Sequence, residues 1–275
     1  MALTPGSRVT LHDGNTMPVL GLGMWQAGSG KQTRKAVATA LEIGYRLFDT
    51  AKLYGNESDL GTAIRESGIP REEIFVMTKL WNNDQGYESG LRAFEKSRRE
   101  LGLDYVDLYL IHWPVPGLRQ ESWKALLKIR DEGLARSIGV SNYTIRHLEE
   151  LLRATPAPPA VNQVEFHPFL YQKELLEFCV SKKIQLEAYS PLTRGHRLDH
   201  PVIAQIAARH GRTPAQVLIR WSLQHGLVVI PKSIRPERIR ENAAVFDFQL
   251  SPDDMKRLDS LDESSHVAWD PEDLP

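Results

Sequence analysis

The stretch Leu103-Asp104-Tyr105-Val106-Asp107-Leu108-Tyr109-Leu110-Ile111-His112-Trp113-Pro114 sets the pattern of the whole chain. Its apolar run at residues 106–111 is typical of a strand that is buried on both faces of a parallel sheet. Residues with helical spacing precede this run at 91–101 and follow it at 123–129. The stretch therefore predicts one strand of a repeated strand–helix unit.

The same unit recurs from one end of the chain to the other. We predict strands at residues 19–22, 46–48, 74–78, 106–111, 137–140, 160–163, 185–188 and 228–230, each followed by a helical pattern. Eight such units predict a (β/α)8 barrel, a fold that commonly needs about 250 residues. We therefore expect a single barrel domain over all 275 residues, 1–275.

Two additions to the eightfold pattern are expected. Residues 9–18 carry an Asp13-Gly14 turn between alternating residues, which predicts a β-hairpin that plugs the N-terminal end of the barrel. Two helical patterns, at 201–210 and 214–225, lie between the seventh and eighth strands, so one is an insertion. The fold class we expect is an α/β TIM barrel with an N-terminal hairpin plug and two extra helices.

A doubly wound nucleotide-binding sheet is the competing architecture. Gly21-Leu22-Gly23 begins like the Gly-x-Gly-x-x-Gly fingerprint, but Gln26 stands where the third glycine belongs. The fingerprint fails, so the phosphates of any bound nucleotide must be held in another way.

Composition and charge argue against several classes of protein. The chain has 34 basic and 35 acidic residues, for a formal net charge of -1, and this balance does not indicate nucleic acid or an anionic membrane as a partner. No signal peptide or apolar run of about 20 residues is present. We expect a cytoplasmic monomer.

The one cysteine, Cys179, allows no intrachain disulfide and is expected to pack in the core.

Polar residues stand where barrel strands are expected to end, which is where barrel enzymes place their active sites. Asp49, Lys79 and His112 each follow an apolar run, and Tyr54 lies five residues after Asp49. A phenol is a poor acid–base catalyst at neutral pH until a cation stabilises its anion. Lys79 can supply that charge, and His112 can orient a substrate oxygen. Singly, each residue has an ordinary structural explanation; together they predict a proton donor.

Four stretches resemble the aldo-keto reductases. They are Gly44-Tyr45-Arg46-Leu47-Phe48-Asp49-Thr50-Ala51 with Tyr54-Gly55-Asn56-Glu57, the stretch 103–114 quoted above, Ile138-Gly139-Val140-Ser141-Asn142, and Ile230-Pro231-Lys232-Ser233 with Arg238 and Glu241-Asn242. The resemblance runs from Val9 to Asp262. Arg235, where many members have threonine, is similar to the bacterial diketogluconate reductase-like branch.

The resemblance implies an enzyme that reduces aldehydes and ketones to alcohols with NADPH. It implies a catalytic tetrad of Asp49, Tyr54, Lys79 and His112, with Tyr54 as the general acid. It also implies the residues that bind the cofactor, which are Trp25, Ser141, Asn142, Gln163, Tyr189, Ser190, Leu192, Lys232, Ser233, Arg235, Arg238, Glu241 and Asn242.

A basic cluster follows the eighth predicted strand. Lys232, Ser233, Arg235 and Arg238 lie around the start of a short helix near Pro236, whose N-terminus is positive. Such a cluster suits a phosphate dianion. Together with the family motif, it predicts NADPH rather than NADH.

Three tryptophans indicate the substrate class. Trp25, Trp81 and Trp113 lie next to strand ends and are expected to line the cavity mouth. The loop 114–121 is short, and the tail 263–275 has one large aromatic residue, Trp269. The resemblance implies that members with steroid pockets have longer versions of both. We therefore expect small or medium carbonyl substrates, such as methylglyoxal, aromatic aldehydes or diketogluconate.

Two other functions are compatible with parts of the sequence. One is a regulatory NADPH-binding barrel that acts through a protein partner, because some barrels of this family bind channels. The other is a metal-dependent hydrolase with Asp49, His112 and His167 as ligands. No metal-binding spacing is recognisable, and Lys79 beside Asp49 would compete with a cation. We therefore expect no metal.

Overall fold

The structure is a computed structural model that describes residues 3–155 and 157–274. Eight strands form one parallel sheet in the order in which they occur along the chain. They are β3 (Leu22–Gly23), β4 (Leu47–Asp49), β5 (Phe75–Leu80), β6 (Val106–Ile111), β7 (Ala135–Ser141), β8 (Val161–Glu165), β9 (Gln185–Tyr189) and β10 (Val228–Val229).

The sheet closes on itself between its first and last strands. Leu20 forms a parallel bridge with Val229, and Gly23 forms one with Lys232. A Cβ atom on Gly23 would lie 2.7 Å from the Ile230 carbonyl oxygen, so the closure requires a residue without a side chain at this position. The predicted (β/α)8 barrel is confirmed.

Helices follow the strands and cover the outside of the barrel. They are α1 (Lys31–Glu42), α2 (Glu57–Glu66), α3 (Tyr87–Leu101), α4 (Arg119–Asp131), α5 (Ile145–Ala154), α6 (Lys173–Ser181), α7 (Pro201–His210), α8 (Pro214–Gln224), α9 (Pro236–Ala243) and α10 (Pro252–Asp259). Both predicted helices between the seventh and eighth barrel strands are present, as α7 and α8. Within the described residues, no helix has the length and apolar character needed to cross a membrane.

The predicted hairpin plug is also confirmed. Strands β1 (Arg8–Thr10) and β2 (Thr16–Pro18) pair antiparallel. Leu11 and Met17 of this hairpin belong to the apolar cluster inside the barrel. The Asn15 amide nitrogen donates to the Arg136 carbonyl oxygen and the Ser137 hydroxyl, both at 3.0 Å, near the amino end of β7. The hairpin thus seals the end opposite the strand termini that carry the polar residues.

Several predicted boundaries were wrong by a few residues. Asp49 and Lys79 lie inside β4 and β5 rather than after them. Their backbones continue the ladder, with Asp49 opposite Met77 and Lys79 opposite Leu110, because their side chains find polar partners inside the barrel. Helix α4 begins three residues before the predicted start at residue 122, which shortens the preceding loop. Cys179 is buried in the core, as predicted, and burial raises the pKa of its thiol to about 12.

Candidate active site

A cavity of about 1030 Å³ opens at the carboxyl ends of the barrel strands, in the size range of small-molecule and cofactor sites. Residues from many separate loops line it. The predicted site residues among them are Trp25, Asp49, Tyr54, His112, Trp113, Ser141, Asn142, Gln163, Tyr189, Ser190, Leu192, Lys232, Ser233, Arg235, Arg238, Glu241 and Asn242. Lys79 lies beneath the surface of the cavity. The structure therefore brings the predicted residues to one place.

A buried ion pair lies at the floor of this cavity. The Lys79 and Asp49 side chains are 0% and 3% exposed, and the ammonium donates to the Asp49 carboxylate. Lys79 Nζ also donates to the Thr50 carbonyl oxygen at 3.0 Å and to the Tyr54 hydroxyl oxygen at 3.2 Å. An ammonium has three hydrogens to donate, and each has an acceptor here. Since Tyr54 accepts from Lys79, its own hydroxyl hydrogen remains available to another acceptor.

The surroundings of Tyr54 keep its phenol protonated. Burial of the hydroxyl, followed by the negative charges of Asp49 and Glu187, raises the pKa of Tyr54 well above 10. The charge of Lys79 alone would ease ionisation of the phenol, but the net shift of the Tyr54 pKa is upward. A neutral phenol that faces a cavity can act as a hydrogen-bond donor and a general acid.

His112 stands beside this phenol at the end of β6. Its ring centroid lies 5.8 Å from that of Tyr54. Burial and the positive charge of Lys79 lower the pKa of His112 well below 6.5, so the imidazole is neutral at neutral pH. A neutral imidazole can donate one hydrogen bond to a ligand oxygen without adding a charge.

Trp81, the third tryptophan that was predicted at the cavity mouth, lies beside His112. In the described structure Trp81 does not line the cavity. It follows β5 directly and packs edge-on against His112, with ring centroids 5.1 Å apart. Trp81 therefore supports the imidazole from behind, while Trp25 and Trp113 remain on the cavity wall.

An amide platform lies next to the tetrad, at the ends of β7 and β9. The Asn142 amide nitrogen donates to the His112 carbonyl oxygen at 3.0 Å and to the Ser141 hydroxyl at 3.1 Å. Its amide oxygen accepts from the Tyr189 hydroxyl at 2.8 Å. Asn142 also adopts a left-handed backbone with φ of 63°, an uncommon conformation for which asparagine is one of the favoured residues. These contacts hold Ser141, Asn142 and Tyr189 as one rigid unit.

Gln163 connects the platform directly to the ion pair, and it also contacts Glu187, a buried residue that was not among the predicted site residues. Its amide nitrogen donates to Asp49 Oδ1 at 3.1 Å and to Glu187 Oε2 at 2.8 Å. Glu187 is fully buried in β9. The signal that could have revealed it is a charged residue within the apolar run of a barrel strand, where burial is costly unless the group has partners.

The other end of the cavity is positively charged. Lys232, Arg235 and Arg238 line it around the N-terminus of α9, together with Arg194 from the loop after β9. Among the described residues, no ion pair to Arg235 or Arg238 is found. Exposed guanidinium groups beside a helix N-terminus can bind an anion such as a phosphate.

Two acceptors complete this charged end. The Glu241 carboxylate accepts from the Thr213 hydroxyl at 2.6 Å, which fixes its direction within the cavity wall. Asn242 is 4% exposed and lines the same wall. Both positions lie in α9, one turn beyond Arg238, so a bound ring and a bound phosphate could contact the same helix.

The loop after β9 has an unusual backbone. Ser190, Thr193 and Arg194 have φ values of 49°, 49° and 53°, in the left-handed region that is costly for residues with side chains. Ser190 and Leu192 line the cavity between the amide platform and the basic end. The strained backbone holds this loop along the cavity.

The C-terminal tail also contributes to the wall, with two residues besides Trp269. Val267, Ala268 and Trp269 line the cavity, and the Trp269 ring lies 5.7 Å from that of Trp113. The Glu165 carboxylate anchors this segment, because it accepts from the Val267 and Ala268 amides at 2.7 and 3.0 Å.

Glu165 is suited to that anchoring role. Burial would raise its pKa, but hydrogen bonds from His167, His266 and the Val267 amide outweigh burial and lower the pKa to about 2.

His167, one of the candidate metal ligands, has its Nε2 atom 2.8 Å from the Glu165 carboxylate. The described residues contain no group of three side chains that could hold a metal ion.

Comparison with known proteins agrees with this geometry. The model of the aldo/keto reductase family matches residues 19–263. An uncharacterized oxidoreductase of Bacillus subtilis (strain 168), YtbE, is 52% identical over 272 residues, which cover 98% of this chain and 97% of that protein. The glyoxal reductase of the same organism is 51% identical over 266 residues, which cover 97% of this chain and 96% of that protein.

A solved structure shows the same architecture. The crystal structure of a Gox0644 mutant in complex with NADPH superposes with a TM-score of 0.93 at 45% sequence identity, covering 98% of this chain and 99% of that one. The family model matches most of the barrel, and the relatives share about half of their residues with this chain. Together these matches assign the chain to one family. The chain belongs to the aldo/keto reductase family.

Proposed function

We propose that this protein reduces small and medium aldehydes and ketones to alcohols with NADPH. The observation that carries the proposal is the Tyr54 hydroxyl, which faces a cavity while Lys79 and Asp49 hold it from below at a Tyr54–Lys79 distance of 3.2 Å. This arrangement offers a proton to a carbonyl oxygen and a cation to stabilise the phenolate that remains.

The cavity fits NADPH in its chemistry. The polar groups of Ser141, Asn142 and Gln163 suit a carboxamide, and the Tyr189 ring of the platform suits a flat heterocycle. Lys232, Arg235 and Arg238 at the far end suit a phosphate dianion. The Gox0644 structure with NADPH supports the same cofactor. When bound, NADPH supplies the hydride that reduces the carbonyl carbon.

The side chains then have separate tasks. Neutral His112 donates a hydrogen bond to the carbonyl oxygen and orients it toward Tyr54. The Tyr54 hydroxyl gives its proton to this oxygen as negative charge develops there, and the product is an alcohol. Lys79 stabilises the resulting phenolate, and Asp49 keeps the ammonium in position. A proton from solvent then restores the Tyr54 hydroxyl.

The substrate end of the cavity favours uncharged molecules. Aromatic and apolar residues from three segments line the cavity together with Tyr54: Trp25, Leu53, Trp113, Val267, Ala268 and Trp269. The Trp25 ring lies 4.9 Å from the Tyr54 ring. The cationic residues in the cavity wall come instead from the loops after β9 and β10 and from α9. We therefore propose neutral substrates, such as methylglyoxal and aromatic aldehydes, ahead of anions such as diketogluconate. The similarity to a glyoxal reductase supports this order.

Replacement of the acid tests the mechanism. Tyr54→Phe should lower kcat for aldehyde reduction by at least ~10²-fold, because a positioned general acid contributes on this scale. The NADPH dissociation constant should stay within about twofold, since the phenol hydroxyl is assigned to the substrate. The measurements are NADPH oxidation by absorbance and NADPH binding by fluorescence.

The matched control is Tyr87→Phe, at the start of α3 on the outside of the barrel, and it should leave turnover unchanged. Near-normal turnover in Tyr54→Phe would show that another group supplies the proton.

Replacement of a basic residue tests cofactor selectivity. Arg238→Ala should cost about 1.5 to 3 kcal/mol of NADPH binding, or roughly 10- to 150-fold in Kd, because one charged contact to the 2′-phosphate is lost. NADH lacks this phosphate and should bind as before. Arg240→Ala, in the same helix and 3.9 Å from Glu42, is the control and should change neither affinity. Equal weakening of both cofactors by Arg238→Ala would remove the phosphate assignment.

A panel of carbonyl compounds tests the substrate class. We expect kcat/KM to be highest for methylglyoxal and a nitrobenzaldehyde, lower for diketogluconate, and lowest for a 3-ketosteroid, because the wall is apolar and the segments that build it are short. Steady-state assays with NADPH give the ratios. A steroid preferred by tenfold, about 1.4 kcal/mol of transition-state binding, would contradict the assignment of the cavity.

A further inference from the structure

Glu187 is a buried carboxyl group for which the mechanism above has no task. Its side chain is fully buried in β9, at the level of the ion pair rather than in the cavity wall. One carboxyl oxygen, Oε2, accepts from the Gln163 amide at 2.8 Å. The other, Oε1, has no hydrogen-bond partner among the described residues. An unsatisfied polar atom in such a place is costly and calls for a physical reason.

The charge balance of the barrel interior helps to explain why a carboxyl oxygen of Glu187 can remain without a hydrogen-bond partner in the described part of the chain. Asp49 and Lys79 already form a neutral pair, so an ionised Glu187 would add an unbalanced negative charge. Burial, and then the negative charge of Asp49, raise the pKa of Glu187 to about 8, although Gln163 and Lys79 oppose the shift. Glu187 is therefore mostly protonated at neutral pH and ionises in mildly alkaline solution.

The groups that face Glu187 come from four parts of the barrel. They are Asp49 of β4, Lys79 of β5, the neutral Gln163 of β8, and Tyr54 in the turn after β4. Of these, Tyr54 is the group whose protonation the proposed reaction uses. A negative charge on Glu187 raises the pKa of Tyr54. The two titrations are thus linked electrostatically.

We propose that Glu187 is a positioning residue that acts through Tyr54 and Gln163: it keeps the phenol protonated in alkaline solution, and it fixes the direction of the Gln163 amide. The kinetic part of this inference rests on the proposed function. The second part follows from the hydrogen bonds, since the Gln163 amide nitrogen donates to Asp49 and Glu187. Its amide oxygen is then left to accept from a ligand in the cavity.

The direction of the pH effect follows from these charges. Reduction requires the protonated phenol, so activity falls as the pH rises through the pKa of Tyr54. In the wild-type protein Glu187 ionises first, and its charge holds the pKa of Tyr54 higher. Without that charge, Tyr54 loses its proton at a lower pH. The alkaline limb of the reduction profile should therefore move to lower pH when Glu187 is made permanently neutral.

Two substitutions separate the charge from the hydrogen bond. Glu187→Gln removes the charge and keeps an oxygen that accepts from Gln163, so the alkaline limb of kcat/KM should shift down by at least about 0.5 pH unit. Its NADPH Kd at neutral pH should stay within about twofold. Glu187→Leu removes both features, so the limb should shift and Kd should also rise, by about fivefold or more. Glu187→Asp should restore the wild-type limb in part.

The control is Glu57→Gln. Glu57 is also a buried carboxyl, but it accepts from Thr78 at 2.6 Å and is not among the groups that shift Tyr54. Glu57→Gln should therefore leave the alkaline limb of the kcat/KM profile where it is in the wild type. If Glu187→Gln left the limb unmoved while the wild type reduced aldehydes, the inference would be overturned and the proposed function would stand.

A measurement without turnover distinguishes the two kinds of failure. Infrared difference spectra of the cofactor-free protein should contain a protonated-carboxyl band at neutral pH that is lost in Glu187→Gln and fades in the wild type as the pH rises through about 8. Absence of this band would contradict the protonation of Glu187 whether or not the protein reduces aldehydes. An inactive wild type that shows the band would overturn the proposed function instead.

Discussion

The buried ion pair between Lys79 and Asp49 is the constraint on which the site depends. Two charges in a barrel interior are tolerated only when each has partners, and removal of either one leaves the other uncompensated. The ladders that pair Asp49 with Met77 and Lys79 with Leu110 bring both strands to the same level. Since the ammonium also contacts the Tyr54 hydroxyl, the same pair positions the proposed proton donor. The Lys79–Asp49 contact therefore depends on the strand register and on burial, and the proposed chemistry depends on this contact.

The remainder of the barrel separates a sealed end from a reactive one. The N-terminal hairpin fills the lower end with Leu11 and Met17, and apolar side chains occupy the interior above it. Polar side chains inside the barrel gather at the level of the ion pair and at the rim, apart from Ser137, which bonds to Asn15 of the hairpin at the sealed end. Gln163 ties the rim to this level, while Glu165 holds the C-terminal tail against the cavity. The tail and the strained loop after β9 lie on the open side, where the fold allows variation without loss of the core.

Much of this arrangement could be predicted from sequence because strand-end positions are marked by a change from apolar to polar residues. Asp49, Lys79 and His112 are marked in this way, Tyr54 lies five residues after Asp49, and the family motifs supplied the proposed cofactor residues. Three features were not predicted. The Trp81 ring packs against His112, and Glu165 anchors a tail about 100 positions away. Both depend on tertiary contacts that no local pattern encodes. Glu187 is marked in the sequence only by its charge within an apolar run, and its partner Gln163 lies on another strand.

The central claim is that Lys79 makes the Tyr54 phenol an effective acid. Measurement of kcat for aldehyde reduction by Lys79→Met, with NADPH affinity determined on the same preparation, tests it most directly. The account predicts that NADPH still binds and that kcat falls by at least ~10²-fold, because the phenolate left after proton transfer loses its cation. A folded variant that binds NADPH and turns over near the wild-type rate would contradict the account.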